Sequence, residues 1–415
     1  MTDRRWLRVI PVAFVMYTFA FVDRTNISLA LPSMSRDLHM GPVQAGAASG
    51  IFFLGYVLLQ IPLGYLASRW SPKKLVACML VAWGLCSTAT GFIHSWSQLL
   101  VVRFLLGLAE AGVWPATLVL LSRWFPRAER ARANAYWMLC LPVAVVLSSP
   151  ISGWILSRWN WRVLLVSEGL LPILWLAVWL VGIEDEPNQA RWISAAEREF
   201  LNAARYKEMN DPAISSRQSL ISSLLSRQVL IMMAILFLVS TGNYGYLFWL
   251  PSVLESPIFH SGQNPNYIVV GFLNALPYVV AGIAMVVISR HSDRKRERAK
   301  HVAVALLWAG ICLTASAFVS AHSPVWAFGL LCLVSAGSFG MSGPFWAIPT
   351  ETLPPAIAGA ALGLIQVSNL GGLVGPTLIG YLDKTTGGFT SAFVVLGIGW
   401  IAAALLCGLI KQPKT

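Results

Sequence analysis

Charged side chains are scarce in this chain. Asp, Glu, Lys and Arg supply 12% of its 415 residues, against about 25% in soluble domains, while 56% are hydrophobic and the mean hydropathy is +0.66. That balance excludes a water-soluble enzyme and implies a bilayer as solvent. The six cysteines (Cys78, Cys86, Cys140, Cys312, Cys332, Cys407) lie in apolar runs without C-x-x-C spacing, which excludes a disulfide framework or zinc site. No metal or cofactor is expected. The histidines (His39, His94, His260, His291, His301, His322) fall in loops or at the ends of apolar runs, so a histidine proton relay is excluded. A cleavable leader is not expected either, because the first apolar stretch is long, contains Asp23-Arg24 and lacks a cleavage site of small residues.

What is present is a series of apolar runs of about twenty residues, each long enough to cross ~30 Å of hydrocarbon as a helix. Helices also satisfy their backbone polar groups internally, as hydrocarbon requires. The runs fall at Val9–Leu31, Ala45–Ala67, Leu75–Ile93, Gln98–Ser122, Ala133–Leu156 and Val163–Ile183. A second set covers Val229–Leu254, Tyr267–Ser289, His301–Ser320, Val325–Thr350, Ala358–Leu382 and Ser391–Ile410. The expected fold is therefore an all-α membrane protein of twelve transmembrane helices.

The net charge of +12 is explained by topology. Of the 30 Lys and Arg, 24 fall in segments on one side of a twelve-span arrangement, while Arg36, Arg158, Arg162 and Lys384 fall on the other and Arg24 and Arg103 inside spans. The positive-inside rule then places both termini in the cytoplasm of a multi-pass inner-membrane protein. Cations scattered over short loops do not form a nucleic-acid site, so lipid rather than nucleic acid is the expected surface partner. The long polar segment 184–228 separates residues 1–183 from 229–415, and its charged, helix-prone stretch from Ser194 to Lys207 is expected to be a cytoplasmic linker.

The two parts also echo each other. Ser68-Arg69 after the second span has its counterpart in Asp293-Arg294 after the eighth, and Ser149-Pro150 with Gly153-Trp154 recurs as Gly375-Pro376 with Gly380-Tyr381, at nearly one offset. Two landmarks at one offset imply a duplicated six-helix unit, and such repeats commonly hold a site between them that is exposed by rocking.

Few ionisable groups enter the spans: Asp23, Arg24, Arg103, Glu110 and Glu168, with Glu351 at a helix end. Each costs about 2.5–3.5 kcal/mol on insertion scales, whereas a Leu or Phe returns only about 0.3–0.6 kcal/mol. Arg103 and Glu110 are two turns apart on one face, and Asp23 and Arg24 point about 100° apart. Two readings follow. The four charges near the first and fourth spans line a polar cavity, or they form ion pairs that only lock those spans together. For Glu168, local packing and a transport role stand level. Carboxylates are the available proton carriers, and an Arg that leaves one to hold a ligand would free it for a proton. Tyr56, Trp346, Gln366 and Asn369 are candidates to line the cavity.

These residues resemble the major facilitator superfamily, and more narrowly its anion:cation symporter family, over nearly the whole chain. The resemblance rests on Asp23-Arg24-Thr25-Asn26, on Gly64-Tyr65-Leu66-Ala67-Ser68-Arg69 with Lys73-Lys74, and on the run Arg103 to Gly112 with Glu110 within it. His291-Ser292-Asp293-Arg294 and Asn369-Leu370-Gly371-Gly372 add second-half features. It implies import of a small carboxylate (a sugar acid, hydroxy acid or aromatic acid) together with protons by a monomeric transporter. Arg24 would bind the carboxylate, Asp23 and Glu110 would carry protons, and Arg103 would partner the carboxylates. Tyr56 and Trp346 would touch substrate, while Gly64, Ser68, Arg69, Asp293 and Arg294 would belong to the conformational-gate loops. Ser68 departs from the Asp usual in that loop, and Ile365-Gln366 from a frequent Asn-Ser pair. A facilitator of neutral or cationic solutes is the alternative, but it would need no central Arg.

Overall fold

The computed structural model describes residues 4–209, 226–256, 266–320, 322–352 and 355–410, and every regular element among them is helical. Among the described residues eleven helices are long and apolar enough to cross a membrane: Arg4–Asp37, Pro42–Arg69, Trp96–Trp124, Arg132–Arg158, Trp161–Gly182, Arg227–Leu254, Tyr267–Lys295, Arg298–Val319, Pro324–Pro349, Ala361–Thr386 and Thr390–Cys407. Between the second and the fourth crossing runs Pro72–Thr90, 19 residues and therefore about 28 Å long. Lys73 and Lys74 in its first turn dilute its hydropathy, but it packs along the fourth and sixth crossings and completes twelve spans. The outer faces of the bundle are apolar, with Leu58, Leu174, Phe272, Ile283, Val304 and Leu405 exposed. This is a surface for lipid.

Several spans start on side chains that satisfy their first amides. Ser71 Oγ accepts from the Lys74 amide at 3.0 Å, Asn160 Oδ1 from Val163 at 3.0 Å, and Asn266 Oδ1 from Ile268 at 3.1 Å, which fixes where each helix enters the membrane. The first span is longer than the expected Val9–Leu31 and is interrupted at Asn26, between Arg4–Thr25 and Ile27–Asp37. Arg103 on the fourth span donates to the Asp23 carbonyl at 3.4 Å and the Arg24 carbonyl at 3.3 Å. In an unbroken helix those oxygens would take the Ile27 and Ser28 amides.

Spans one to six pack mainly among themselves, as do spans seven to twelve, and the sets are joined by two main seams, span two against eleven and span five against eight, with Ile27–Asp37 of span one also packed on span seven. Glycine makes both seams close. A Cβ on Gly46 would lie 2.3 Å from the Pro376 carbonyl, and one on Gly153 would lie 2.4 Å from the Tyr267 carbonyl, so backbone meets backbone. Arg36 also donates to Tyr267 Oη at 2.8 Å across the sets. All these contacts lie toward the end that carries Arg36, Arg158 and Lys384. At the opposite, basic end each gate loop is held within its own set. Ser68 Oγ donates to the Tyr65 carbonyl, Arg123 to the Ser68 carbonyl, and Arg69 lies over the Tyr65 ring. Arg298 bridges Asp293 and Glu351, and Arg294 is exposed. Among the described residues, no hydrogen bond or ion pair joins the two gate loops. Among the described residues the two sets thus meet at the Arg36 end and are not bonded to each other at the gate loops.

The segment expected as a linker contains the helix Ala195–Met209; residues 210–225 and the last five residues lie outside the described residues. The helix docks on the basic end through Arg5, which is 1% exposed and bonds Glu197 at 2.8 Å and Glu129 at 2.9 Å, and through Glu208, which bonds Arg130 at 2.8 Å. Trp192 stacks on Trp124 with ring centroids 4.9 Å apart. Removing one member of a buried charge cluster leaves the others unpaired, at about 3–5 kcal/mol. Arg5→Ala is therefore expected to lower the melting temperature and to speed hydrogen exchange in Ala195–Met209. Unchanged exchange there would show that the docking rests on Trp192 and Glu208 alone.

Candidate functional site

Five spans are interrupted along their length: the first at Asn26, the fourth at Ala111-Gly112, the fifth at Leu139, the tenth at Met341, and the eleventh at the 3-10 turn Val367–Leu370. Broken helices inside a membrane are tolerated where they border a polar cavity. Such a cavity, about 110 Å³, lies between the two sets of spans, bordered by Arg24, Tyr56, Trp114 and Met138 on one side and by Ser240, Asn243, Tyr244, Met341, Trp346, Gln366 and Asn369 on the other. This is room for a small solute, since drug-sized pockets run to about 300–1,000 Å³.

Arg24 is the one cation on the cavity wall among the described residues. It is 4% exposed, its Nη2 donates to Glu110 Oε2 at 3.0 Å, and neither its Nε nor Glu110 Oε1 has a partner. The guanidinium lies 4.7 Å from the Tyr56 ring centroid and 5.1 Å from that of Phe52, a face-on arrangement that favours a cation. The pair is thus monodentate, with hydrogen-bonding capacity left on both partners. A planar anion with two oxygens could engage the guanidinium more completely than Glu110 does.

The other sequence candidates divide. Tyr56, Trp346, Gln366 and Asn369 border the cavity with Arg24. Asn369 Nδ2 donates to Gln366 Oε1, and Ser240 Oγ donates to Asn369 Oδ1 at 3.1 Å, which orients those amides. Asp23 faces away from the cavity, toward the third span, where Trp83 Nε1 at 3.1 Å and Ser87 Oγ at 2.7 Å donate to it. Arg103 does not pair with the carboxylates as expected. It is 1% exposed and spends two donors on backbone carbonyls, because the break at Asn26 leaves those oxygens for it. Of the four charges, Arg24 and Glu110 form an ion pair that ties the first span to the fourth, and Arg24 alone borders the cavity.

Sequence reasoning missed Tyr17, Phe21, Trp114, Ser240, Asn243 and Tyr244, all on the cavity wall. Tyr17 and Phe21 precede Arg24 by seven and three residues and share its helix face. Ser240, Asn243 and Tyr244 form a polar stripe at the i, i+3, i+4 spacing of the seventh span. Both signals were in the sequence. Arg103→Lys is expected to cost about 1–3 kcal/mol of stability, because one ammonium cannot serve both carbonyls and leaves a buried acceptor unpaired, while solutes still enter the cavity. A normal melting temperature with lost binding would instead make Arg103 a ligand contact.

The comparisons with known proteins agree with this architecture. The pattern described as "Major Facilitator Superfamily" matches residues 13–369. A protein of Agrobacterium vitis named "Putative tartrate transporter" is 34% identical over 98% of this chain and 91% of its own length. A protein of Bacillus subtilis named "Probable galactarate/D-glucarate transporter GudP" is 26% identical over 99% and 93%. Among solved structures, the inward-open xylose transporter XylE from E. coli superposes with a TM-score of 0.77 at 13% identity, covering 97% of this chain and 96% of that one, so the likeness is one of fold. The chain belongs to the Major Facilitator Superfamily and is a multi-pass membrane transporter, not an enzyme.

Proposed function

We propose that this protein imports a small organic anion with protons, exposing the central cavity to each side of the membrane in turn. The observation that carries the reading is Arg24, a buried cation on the cavity wall whose present counter-ion, Glu110, holds it by one hydrogen bond. An entering carboxylate takes that guanidinium by a bidentate pair, and Glu110, left without its counter-charge in a dry site, takes a proton. The relatives named for tartrate and for galactarate/D-glucarate support hydroxylated acids as the substrate class. Ser240, Asn243, Gln366 and Asn369 offer the wall such hydroxyls need. A facilitator of neutral or cationic solutes has no use for a guanidinium there.

In this reading residues 1–183 and 229–415 are the rocking halves, joined by 184–228, and the basic end faces the cytoplasm of the inner membrane. The two seams support the duplication: the pairing of span two with eleven becomes that of eight with five when each span is moved by six. The gate loops around Gly64, Ser68, Arg69, Asp293 and Arg294 then meet when the cytoplasmic end closes. Asp23 is the second proton carrier. It adjoins Arg24 in sequence, and Arg103 holds the carbonyls of both residues, so a movement of one is felt by the other.

Two sets of variants test this. Arg24→Lys keeps the charge but not the planar fork; a lost charge-assisted hydrogen bond is worth about 1.5–3 kcal/mol, so affinity for the acid should fall about 10- to 150-fold. Full affinity in Arg24→Lys and Arg24→Ala would remove the carboxylate-binding assignment. Asp23→Asn and Glu110→Gln imitate the protonated state. In liposomes they should weaken or abolish pH-driven accumulation, with exchange of labelled substrate surviving in at least one of them. Full pH-driven accumulation by both would refute the coupling role.

A further inference from the structure

Glu168 has no part in the chemistry above, yet it is a carboxyl in the hydrocarbon region, 5% exposed, on the sixth span. Ser152 Oγ on the fifth span donates to its Oε1 at 2.6 Å, and its Oε2 has no partner. Among the described residues no Lys, Arg or His pairs with it. The groups packed around it are Asn26 of the first span, Ser87 and Thr88 of the third, which close on the neighbouring Gly169, and Ser152 of the fifth. Among the described residues Glu168 in turn acts on Asp23 of the first span, another acid, which already holds two donors. A carboxylate in such a place, with one hydroxyl donor and a second acid nearby, is costly as an anion and tolerable as a neutral acid.

Its position gives that proton a consequence. Ser152 precedes Gly153, whose backbone abuts Tyr267 in the seam between the fifth and eighth spans. One turn away, Asn274 Nδ2 on the eighth span donates to Ser149 Oγ on the fifth at 2.9 Å. Glu168 thus sits directly behind a seam that has to open when the cavity faces the Arg36 end. We propose that Glu168 is a further proton-binding site, occupied while the seam is shut and exchanging its proton with the aqueous phase at that end when the seam opens. The seam then closes over the protonated form alone, and acidity at the Arg36 end favours closure. Structural support of the fifth span by the sixth needs no proton at all. The inference uses the alternating-access part of the reading above, but neither Arg24 nor the nature of the substrate.

The test is infrared spectroscopy of the purified full-length protein without substrate, so that its failure is separable from failure of the carboxylate-binding reading. At neutral pH the parent should show the carbonyl stretch of a protonated carboxylic acid that is lost in Glu168→Gln and shifted in Glu168→Asp; the latter identifies the band even if the Gln variant does not fold. In Gly153→Trp, which cannot close the fifth span onto the eighth, the same band should disappear at neutral pH as Glu168 reaches water and ionises. If the parent lacks a band sensitive to both substitutions, Glu168 is an anion or a packing residue and the proposal fails. A band that persists unchanged in Gly153→Trp would overturn its link to the seam.

Discussion

A guanidinium inside hydrocarbon needs a counter-charge and a full set of acceptors, and the first half of this protein is arranged around two of them. Arg103 finds acceptors in the Asp23 and Arg24 carbonyls, which the break of the first span at Asn26 leaves for it. The break lies next to Arg24, which finds its counter-charge in Glu110 of the fourth span. Those two arginines therefore tie the first span to the fourth at the break. The first spends two donors on backbone carbonyls and leaves its buried Nε without a partner. The second donates one hydrogen bond to a carboxylate that can itself be neutralised, and in the proposed function this difference would separate a structural cation from an exchangeable one.

In the proposed function the rest of the bundle would supply a hinge for that exchange. Gly46 and Gly153 allow backbone-to-backbone contact at two seams related by the six-span repeat, so closure at one end takes little side-chain rearrangement. At the basic end the loops are tied within their own sets by Arg123 and Arg298. Rigid halves around a central site are what rocking requires.

Much of this was legible in the sequence because hydrocarbon is a severe solvent. Each span had to be an apolar run, and each intramembrane charge had to have a reason, so the twelve helices and the grouping of Asp23, Arg24, Arg103 and Glu110 followed from cost alone. The cavity wall was legible in part: Tyr56, Trp346, Gln366 and Asn369 could be named, while Tyr17 and Asn243 could be found only by following the helix face of Arg24 and the polar stripe of the seventh span. The partner of Arg103 was not legible. Backbone carbonyls carry no sequence signature, and a helix break at Asn26 has no glycine or proline beside it to announce it. The seams were equally hidden, since the closeness of Gly46 to Pro376 depends on how two distant spans cross.

The central claim is that a carboxylate displaces Glu110 from Arg24 and that Glu110 then takes a proton. Calorimetric titration of the purified protein with tartrate or glucarate, repeated in buffers of different ionisation enthalpy, counts the protons taken up on binding. At a pH where Glu110 is ionised before binding, the account expects about one proton absorbed per carboxylate bound, with that uptake lost in Glu110→Gln while the acid still binds. Binding with no proton uptake, or uptake unchanged in Glu110→Gln, would contradict it.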